Sequence, residues 1–279
     1  MTRRDDHVDA VAAYYDSASA DAFYARIWGG EDIHIGLHDD DADHDIAAAG
    51  ARMVDFMADR LGDALHAQSR IIDLGAGYGG SARRLARRFG CAVTCVNLSA
   101  VQNARNERLN AEAGLAERIT VVEGDFAQVP QPDGAFDVVW SQDAFLHAAD
   151  QAAVIREAFR LLAPGGRLIF TDPMQRSAGA DPGLAGVYAR LNLTSLRTPD
   201  DYGAMADAIG FADADFEDLT PHHGRHYAAV RAILSAKRDD MPEVDAAFAD
   251  RMLIGLDEWV AASNAGKLAW GVLTMRKPG

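Results

Sequence analysis

Between residues 70 and 172 the apolar positions alternate between short unbroken runs and helical spacing. The runs at 70–74, 92–97, 118–123, 136–141 and 167–172 predict buried strands, and the three- and four-residue spacing at 79–89, 99–113 and 151–162 predicts helices. Pro164-Gly165-Gly166 reads as the stop of the last helix. This alternation predicts an α/β fold with about five parallel strands joined by right-handed crossovers.

The flanks read differently. Residues 8–27 have helical spacing broken by Gly29-Gly30, and an acidic loop at 39–45 leads into a helix over about 45–65. Residues 173–199 are irregular, with Pro182 and Gly183, and predict an insertion over the C-terminal edge of the sheet, where open α/β sheets bind ligands. Helices near 200–209, 222–238 and 243–263 follow, with short strands at 214–219 and 268–276 that suit an antiparallel end to the sheet. The expected organisation is one domain: a helical extension or lid (1–66), a ligand-binding core (67–172), and a cap insertion with closing helices and strands (173–279).

Composition narrows the function. Forty-two Asp and Glu against 27 Lys and Arg give the 279-residue chain a formal charge of -15, which repels phosphate backbones and anionic lipid surfaces. Neither nucleic acid nor membrane is expected as a partner. Without a signal-type apolar segment at the start or a membrane-length run, the expected location is cytoplasmic. Cys91 and Cys95 read as reduced core residues. Monomer and homodimer are both compatible with this reading.

Candidate chemistry starts at Gly75-Ala76-Gly77-Tyr78-Gly79-Gly80, directly after the strand containing Ile71-Ile72-Asp73-Leu74. Such a turn lets backbone approach a ligand closely and aims a helix N-terminus at it, as in dinucleotide sites. Asp73 beside the turn suits a ligand with a positive amino group better than a pyrophosphate, which points to S-adenosylmethionine. A ribose contact is expected at the end of the second strand. There Asn97 offers an amide acceptor and donor, Gln102 could add a second amide, and the alternative is that Asn97 only caps the helix starting at Ser99. After the third strand, Asp125 could accept from an adenine amino group while the Phe126 backbone N–H meets a ring nitrogen; an ordinary acidic loop is the alternative.

With Ile-Asp-Leu-Gly-Ala-Gly-Tyr-Gly-Gly at 72–80, Gly-Asp-Phe at 124–126 and Leu-Ala-Pro-Gly-Gly at 162–166, the chain resembles the Rossmann-like class I S-adenosylmethionine-dependent methyltransferases. More narrowly, it resembles sarcosine/dimethylglycine N-methyltransferases, which finish glycine betaine synthesis. The segments that carry this are 27–36, 97–103, 140–147 (Trp-Ser-Gln-Asp-Ala-Phe-Leu-His), 171–174 and 265–271. The resemblance implies S-adenosylmethionine as cofactor, S-adenosylhomocysteine as product, and a small amino acid as methyl acceptor. Carried onto these segments, it implies that Ile33, His34, Leu98 and Ser141 lie with the cofactor, beside Asp73, Gly75, Ala76, Gly77, Asn97, Gln102, Asp125 and Phe126. Gln142, Met174, His226 and Tyr227 then fall on the acceptor side. A more distant resemblance to phosphoethanolamine methyltransferases puts a catalytic-dyad histidine at His147, with Tyr15 or its neighbourhood as partner.

Methyl transfer to an amine moves positive charge from sulfur to nitrogen, and aromatic faces tolerate that charge without competing as nucleophiles. Tyr24 and Trp28, one helical turn apart, are the best candidates for such a box; Tyr15, Trp140, Trp259 and Trp270 are others. An acceptor carboxylate calls for an arginine, and Arg26, Arg190 and Arg225 are the choices. His222, His223 and His226 have a spacing that could converge imidazoles on a metal, but displacement at a sulfonium methyl needs no Lewis acid, and no metal is expected. Three rival readings remain at this stage, of which a cofactor-binding protein without activity is excluded only by assay. Of the other two, one is methylation of another small acceptor such as phosphoethanolamine, a sterol or a polyketide alcohol; the other is an NAD(P)-dependent oxidoreductase, against which Asp73 and the missing acid at Asn97 both argue.

Overall fold

The structure, a computed structural model, describes residues 15–191 and 193–279, without the side chains of 190 and 191. Seven strands form one sheet in the order β3-β2-β1-β4-β5-β9-β7. Strands β1 (Arg70–Leu74), β2 (Ala92–Asn97), β3 (Ile119–Glu123), β4 (Phe136–Gln142) and β5 (Leu162–Thr171) pair in parallel. Helices α3 (Gly80–Phe89), α4 (Ala100–Glu112) and α5 (Gln151–Leu161) make the crossovers, as the apolar pattern predicts. The last strand, β9 (Gly271–Arg276), runs antiparallel between β5 and β7 (Ala212–Asp218). The expected antiparallel end is therefore a single reversed strand, and β7 points the same way as the first five.

Successive strand residues face opposite sides of the sheet, and this splits the core in two. Ile71, Val138, Trp140 and Ile169 pack under α1 (Ala18–Ile27), α2 (Ile46–Leu61), α8 (Thr220–Lys237) and α9 (Ala246–Asn264). Ile72, Val139, Leu168 and Phe170 pack under α5 and α7 (Pro199–Ile209). Both cysteines are free and buried.

Three expectations need correction. The helix expected over 8–27 does not run unbroken to Ile27, because Ser17 is an N-cap whose hydroxyl accepts from Ala20 N; residues 8–14 of that expectation lie outside the described residues. Pro164-Gly165-Gly166 does not stop a helix: α5 has already ended at Leu161, and the three residues lie within β5, where Gly165, at φ 79°, donates to Lys277 O. The strand expected over 268–276 is broken at Trp270. Its first part, β8 (Leu268–Ala269), pairs instead with β6 (Met174–Gln175), inside the 173–199 segment. That segment is built around buried Gln175, whose side-chain oxygen accepts from Tyr188 Oη (2.6 Å) and Leu196 N (2.9 Å), and its helix α6 (Ala185–Leu191) packs on α9. Among the described residues no helix is long and apolar enough to cross a membrane.

Candidate active site

The glycine turn leaves β1 with Gly75, Gly77 and Gly79 all at positive φ (86°, 52° and 76°). A Cβ on Gly75 would lie 2.4 Å from Ala144 Cβ, and one on Gly77 would lie 2.9 Å from Ile33 Cδ1. The turn is thus confined between the loop after β4 and a strap, residues 31–38, that crosses it. The strap is held by Gly80 N donating to Glu31 O (3.1 Å) and by Ile35 N donating to Asp143 Oδ2 (2.7 Å).

A narrow cleft opens at this end of the sheet. The sequence-derived residues that line it are Tyr15, Ile33, Gly75, Asn97, Leu98, Gln102, Phe126, Gln142 and His147, together with Ser99, Asp143 and Ala144. Ser99 caps α4 by accepting from Gln102 N, so Asn97 is not the cap. Asn97 Nδ2 instead donates to Gln102 Oε1 (2.9 Å), which leaves the buried Gln102 Nε2 with no partner among the described residues. Gln142 shows the same pattern: its oxygen accepts from Ser81 Oγ (2.7 Å) and Trp140 Nε1 (3.0 Å), while its buried Nε2 is unpartnered. Ser141 spends its hydroxyl on Leu74 O (2.6 Å), and Asp125 accepts from Ala127 N (2.8 Å), closing its own turn.

Asp73, at the end of β1, is buried and accepts no hydrogen bond from a described residue; burial pushes its carboxyl up to about 7, with His34 opposing and Asp32 reinforcing the rise. Buried His34 faces half-buried Asp32, Nε2 to Oδ1 3.4 Å. Burial alone would lower the imidazole's pKa, but the Asp32 carboxylate outweighs it, and the His34 pKa ends above the usual histidine value. Two free amide donors, a buried carboxyl without a partner and glycines that a Cβ would close suit a ligand with ribose hydroxyls and an α-ammonium group. S-adenosylmethionine has both.

On the acceptor side, Tyr15 Oη and His147 Nε2 lie 3.2 Å apart. Tyr24 packs against Tyr15 with ring centroids 5.6 Å apart. Trp28 lies one turn further back: its Nε1 donates to His34 O (3.3 Å), and its ring meets His226 and Tyr227 at 5.1 and 5.7 Å. Tyr24, Trp28, Met174, Arg225, His226 and Tyr227 are not brought to the cleft wall; Tyr24 reaches it only through Tyr15. Met174 is core on the other face of the sheet, Tyr227 stacks on Trp259, and Arg225 reaches outward to Asp41 (2.7 Å). His226 is buried, accepts from Gly36 N through Nδ1 (3.1 Å) and is held well below the usual histidine range by burial. His222 Nδ1 accepts from His38 N, and His223 Nδ1 pairs with Ser263 Oγ (2.7 Å). His222 and His226 thus hold the strap backbone and His223 holds Ser263, so the three do not converge on one point, and no cluster able to hold a metal occurs among the described residues. Arg26 pairs with Glu243, and the Arg190 side chain lies outside the description.

Asp143 was missed by the sequence reading. It stands at φ 53°, donates its backbone N–H to Thr171 O (2.9 Å), and accepts from Ile35 N and from Trp270 Nε1 (2.8 Å) while lining the cleft. The available signal was a carboxylate placed just past the C-terminal end of a central strand.

The sheet order, the glycine turn and the cleft define a class I S-adenosylmethionine-dependent methyltransferase, and residues 72–170 match the family model described as a methyltransferase domain. The chain is 45% identical over 278 residues to a sarcosine/dimethylglycine N-methyltransferase of Halorhodospira halochloris, covering 99% of both chains. It is 42% identical to one of Aphanothece halophytica, covering 100% of both. A solved structure from Galdieria sulphuraria, provisionally named a sarcosine dimethylglycine methyltransferase, superposes with a TM-score of 0.89 at 38% identity, covering 95% of this chain and 99% of that one. The chain belongs to the sarcosine/dimethylglycine N-methyltransferase family.

Proposed function

We propose that the protein acts in the cytoplasm to methylate the nitrogen of sarcosine, and then of dimethylglycine, giving glycine betaine as a compatible solute. S-adenosylmethionine supplies, when bound, an electrophilic sulfonium methyl. Asn97 and the free Gln102 amide would hold its ribose hydroxyls, and Asp73, ionising on contact, would pair with its α-ammonium. Asp125 and the Phe126 backbone N–H would meet the adenine edge, and Ile33 would close the strap over the turn. Carriage of the proton rests on one observation, the Tyr15–His147 pair in the cleft wall.

Sarcosine and dimethylglycine are ammonium ions at neutral pH, so a proton must leave nitrogen before its lone pair can attack. His147 Nε2 is the acceptor at hand, with the Tyr15 hydroxyl as its relay. The Asp143 carboxylate in the same wall favours the cationic acceptor on entry, and the Tyr15 and Tyr24 rings favour the charge that returns to nitrogen in transfer. The test is methyl transfer from labelled cofactor to glycine, sarcosine, dimethylglycine and phosphoethanolamine. Label in dimethylglycine and betaine is expected; transfer to phosphoethanolamine alone would overturn the acceptor assignment.

A further inference from the structure

Helix α4 packs on the sheet with an uncommon face. Its buried residues are Gln102, Asn103, Asn106 and Asn110, amides where a crossover helix ordinarily presents Leu, Ile or Val. Asn103, Asn106 and Asn110 follow at helical spacing and form one seam. At its first end Asn103 Nδ2 donates to the carbonyl of Asn97 (3.1 Å). In the middle the Asn106 carboxamide lies against Gly79, so close that a Cβ there would sit 2.1 Å from Asn106 Oδ1. Asn110 Nδ2 donates to Asn106 Oδ1 (2.8 Å).

The far end is taken by Arg83 of α3, only 1% exposed. Its Nη1 donates to Asn110 Oδ1 (3.1 Å) and to Tyr78 O in the glycine turn (2.7 Å), and its Nε to Glu31 Oε2 of the strap (3.1 Å). The seam thus runs from the strand end that carries Asn97 to the glycine turn and the strap on the other side of the cleft. It is not the cheapest way to pack a helix. Asn103 Oδ1, Asn106 Nδ2 and Arg83 Nη2 are buried without a partner among the described residues, and each such atom costs on the order of 1–3 kcal/mol that an apolar seam would not.

We propose that Asn106, Asn110 and Arg83 are positioning residues that hold the glycine turn at its distance from Asn97 and so set affinity for the cofactor. This rests on the cofactor reading of the cleft. None of the three lines the cleft; they act through the Tyr78 carbonyl and Gly79, at a stability cost that an apolar packing would avoid. Asn110→Leu, near in volume and apolar, strands Asn106 Oδ1 and costs stability in either case, but a purely structural seam then leaves cofactor affinity unchanged whereas a positioning seam loses it.

The measurement is S-adenosylhomocysteine affinity by titration calorimetry beside the thermal midpoint, for the native chain, Asn110→Leu and Asn110→Asp. For Asn110→Leu the dissociation constant should rise about tenfold or more, with a thermal midpoint lower by a few degrees because the buried Asn106 Oδ1 loses its donor. Asn110→Asp keeps an acceptor for Arg83 and should bind nearly as the native chain does. In turnover the cofactor KM of Asn110→Leu should rise by a larger factor than kcat falls. If Asn110→Leu does not fold, Arg83→Lys carries the same expectation, since an ammonium reaches Glu31 without the fork to Tyr78 O and Asn110. Affinity within about twofold of native in a folded Asn110→Leu protein, or an equal loss of affinity and midpoint in both Asn110 variants, overturns the proposal. Failure of the native chain itself to bind S-adenosylhomocysteine would instead overturn the cofactor reading.

Discussion

Cofactor binding should displace a proton from Asp73, and the pH dependence of affinity should reveal it. Burial pushes this carboxyl up to about 7 against an ordinary 3.8, so in the unliganded protein it is largely protonated below neutrality. A ligand α-ammonium beside it favours the carboxylate and drives the proton off. With one proton displaced, affinity scales with the ionised fraction, and going from about pH 7.5 to about pH 5.5 should weaken S-adenosylhomocysteine binding roughly 25-fold. Stability without ligand has the opposite sense. The folded chain holds this proton more tightly than the unfolded one, so this group's contribution falls as pH rises from about 4 through about 7. The assay is calorimetry at several pH values in two buffers of different ionisation enthalpy, which counts the protons released, with Asp73→Asn as the control expected to lose the slope. A dissociation constant flat across that range, or binding without proton release, would refute the reasoning.

Gly75→Ala places a methyl 2.4 Å from Ala144 Cβ at φ 86°, and relief requires about 1 Å of movement in the loop that carries Asp143 and His147. Turnover should fall on the order of 100-fold, measured beside the thermal midpoint; native turnover would show that the contact relaxes elsewhere. Gln102→Leu removes an amide donor that no described residue uses, so it should weaken S-adenosylhomocysteine binding by about 1–2 kcal/mol with little change in midpoint, and unchanged affinity would remove Gln102 from the ribose contact. His147→Ala should lose rate at neutral pH and regain part of it as pH approaches the pKa of the acceptor amine; a loss equal at every pH would mark His147 as structural.

The parallel strands were legible because strands covered on both faces leave unbroken apolar runs, and the cofactor wall because its residues follow strand ends directly. Gly75, Asn97, Gln102 and Phe126 therefore line the cleft where their local patterns put them. The acceptor side was less legible for a physical reason. Helical spacing puts Tyr24 and Trp28 on one face, but that face lies in the core, where Tyr24 backs Tyr15 rather than lining the cleft and Trp28 is consumed by His34 O and the α8 rings. Asp143 left no local trace beyond its place just past a strand end, since its partners Ile35 and Trp270 are 108 and 127 positions away and its left-handed backbone is a tertiary outcome. Pro164-Gly165-Gly166 misled because a helix stop and an irregular strand start draw on the same residues.

Strand β9, the last in the chain, is an interior strand. During synthesis β5 and β7 emerge from the ribosome with no neighbour to join them, and Trp270, which completes the hold on Asp143, arrives with the same final segment. The sheet can close, and the strap can be fastened through Asp143 and Trp270, only after synthesis has passed residue 276. Until then β5 and β7 are bare edges open to pairing with other chains. A nascent chain stalled before residue 268 would therefore depend on chaperones, and methyl-transfer competence would arrive abruptly with residues 268–276 rather than grow with chain length.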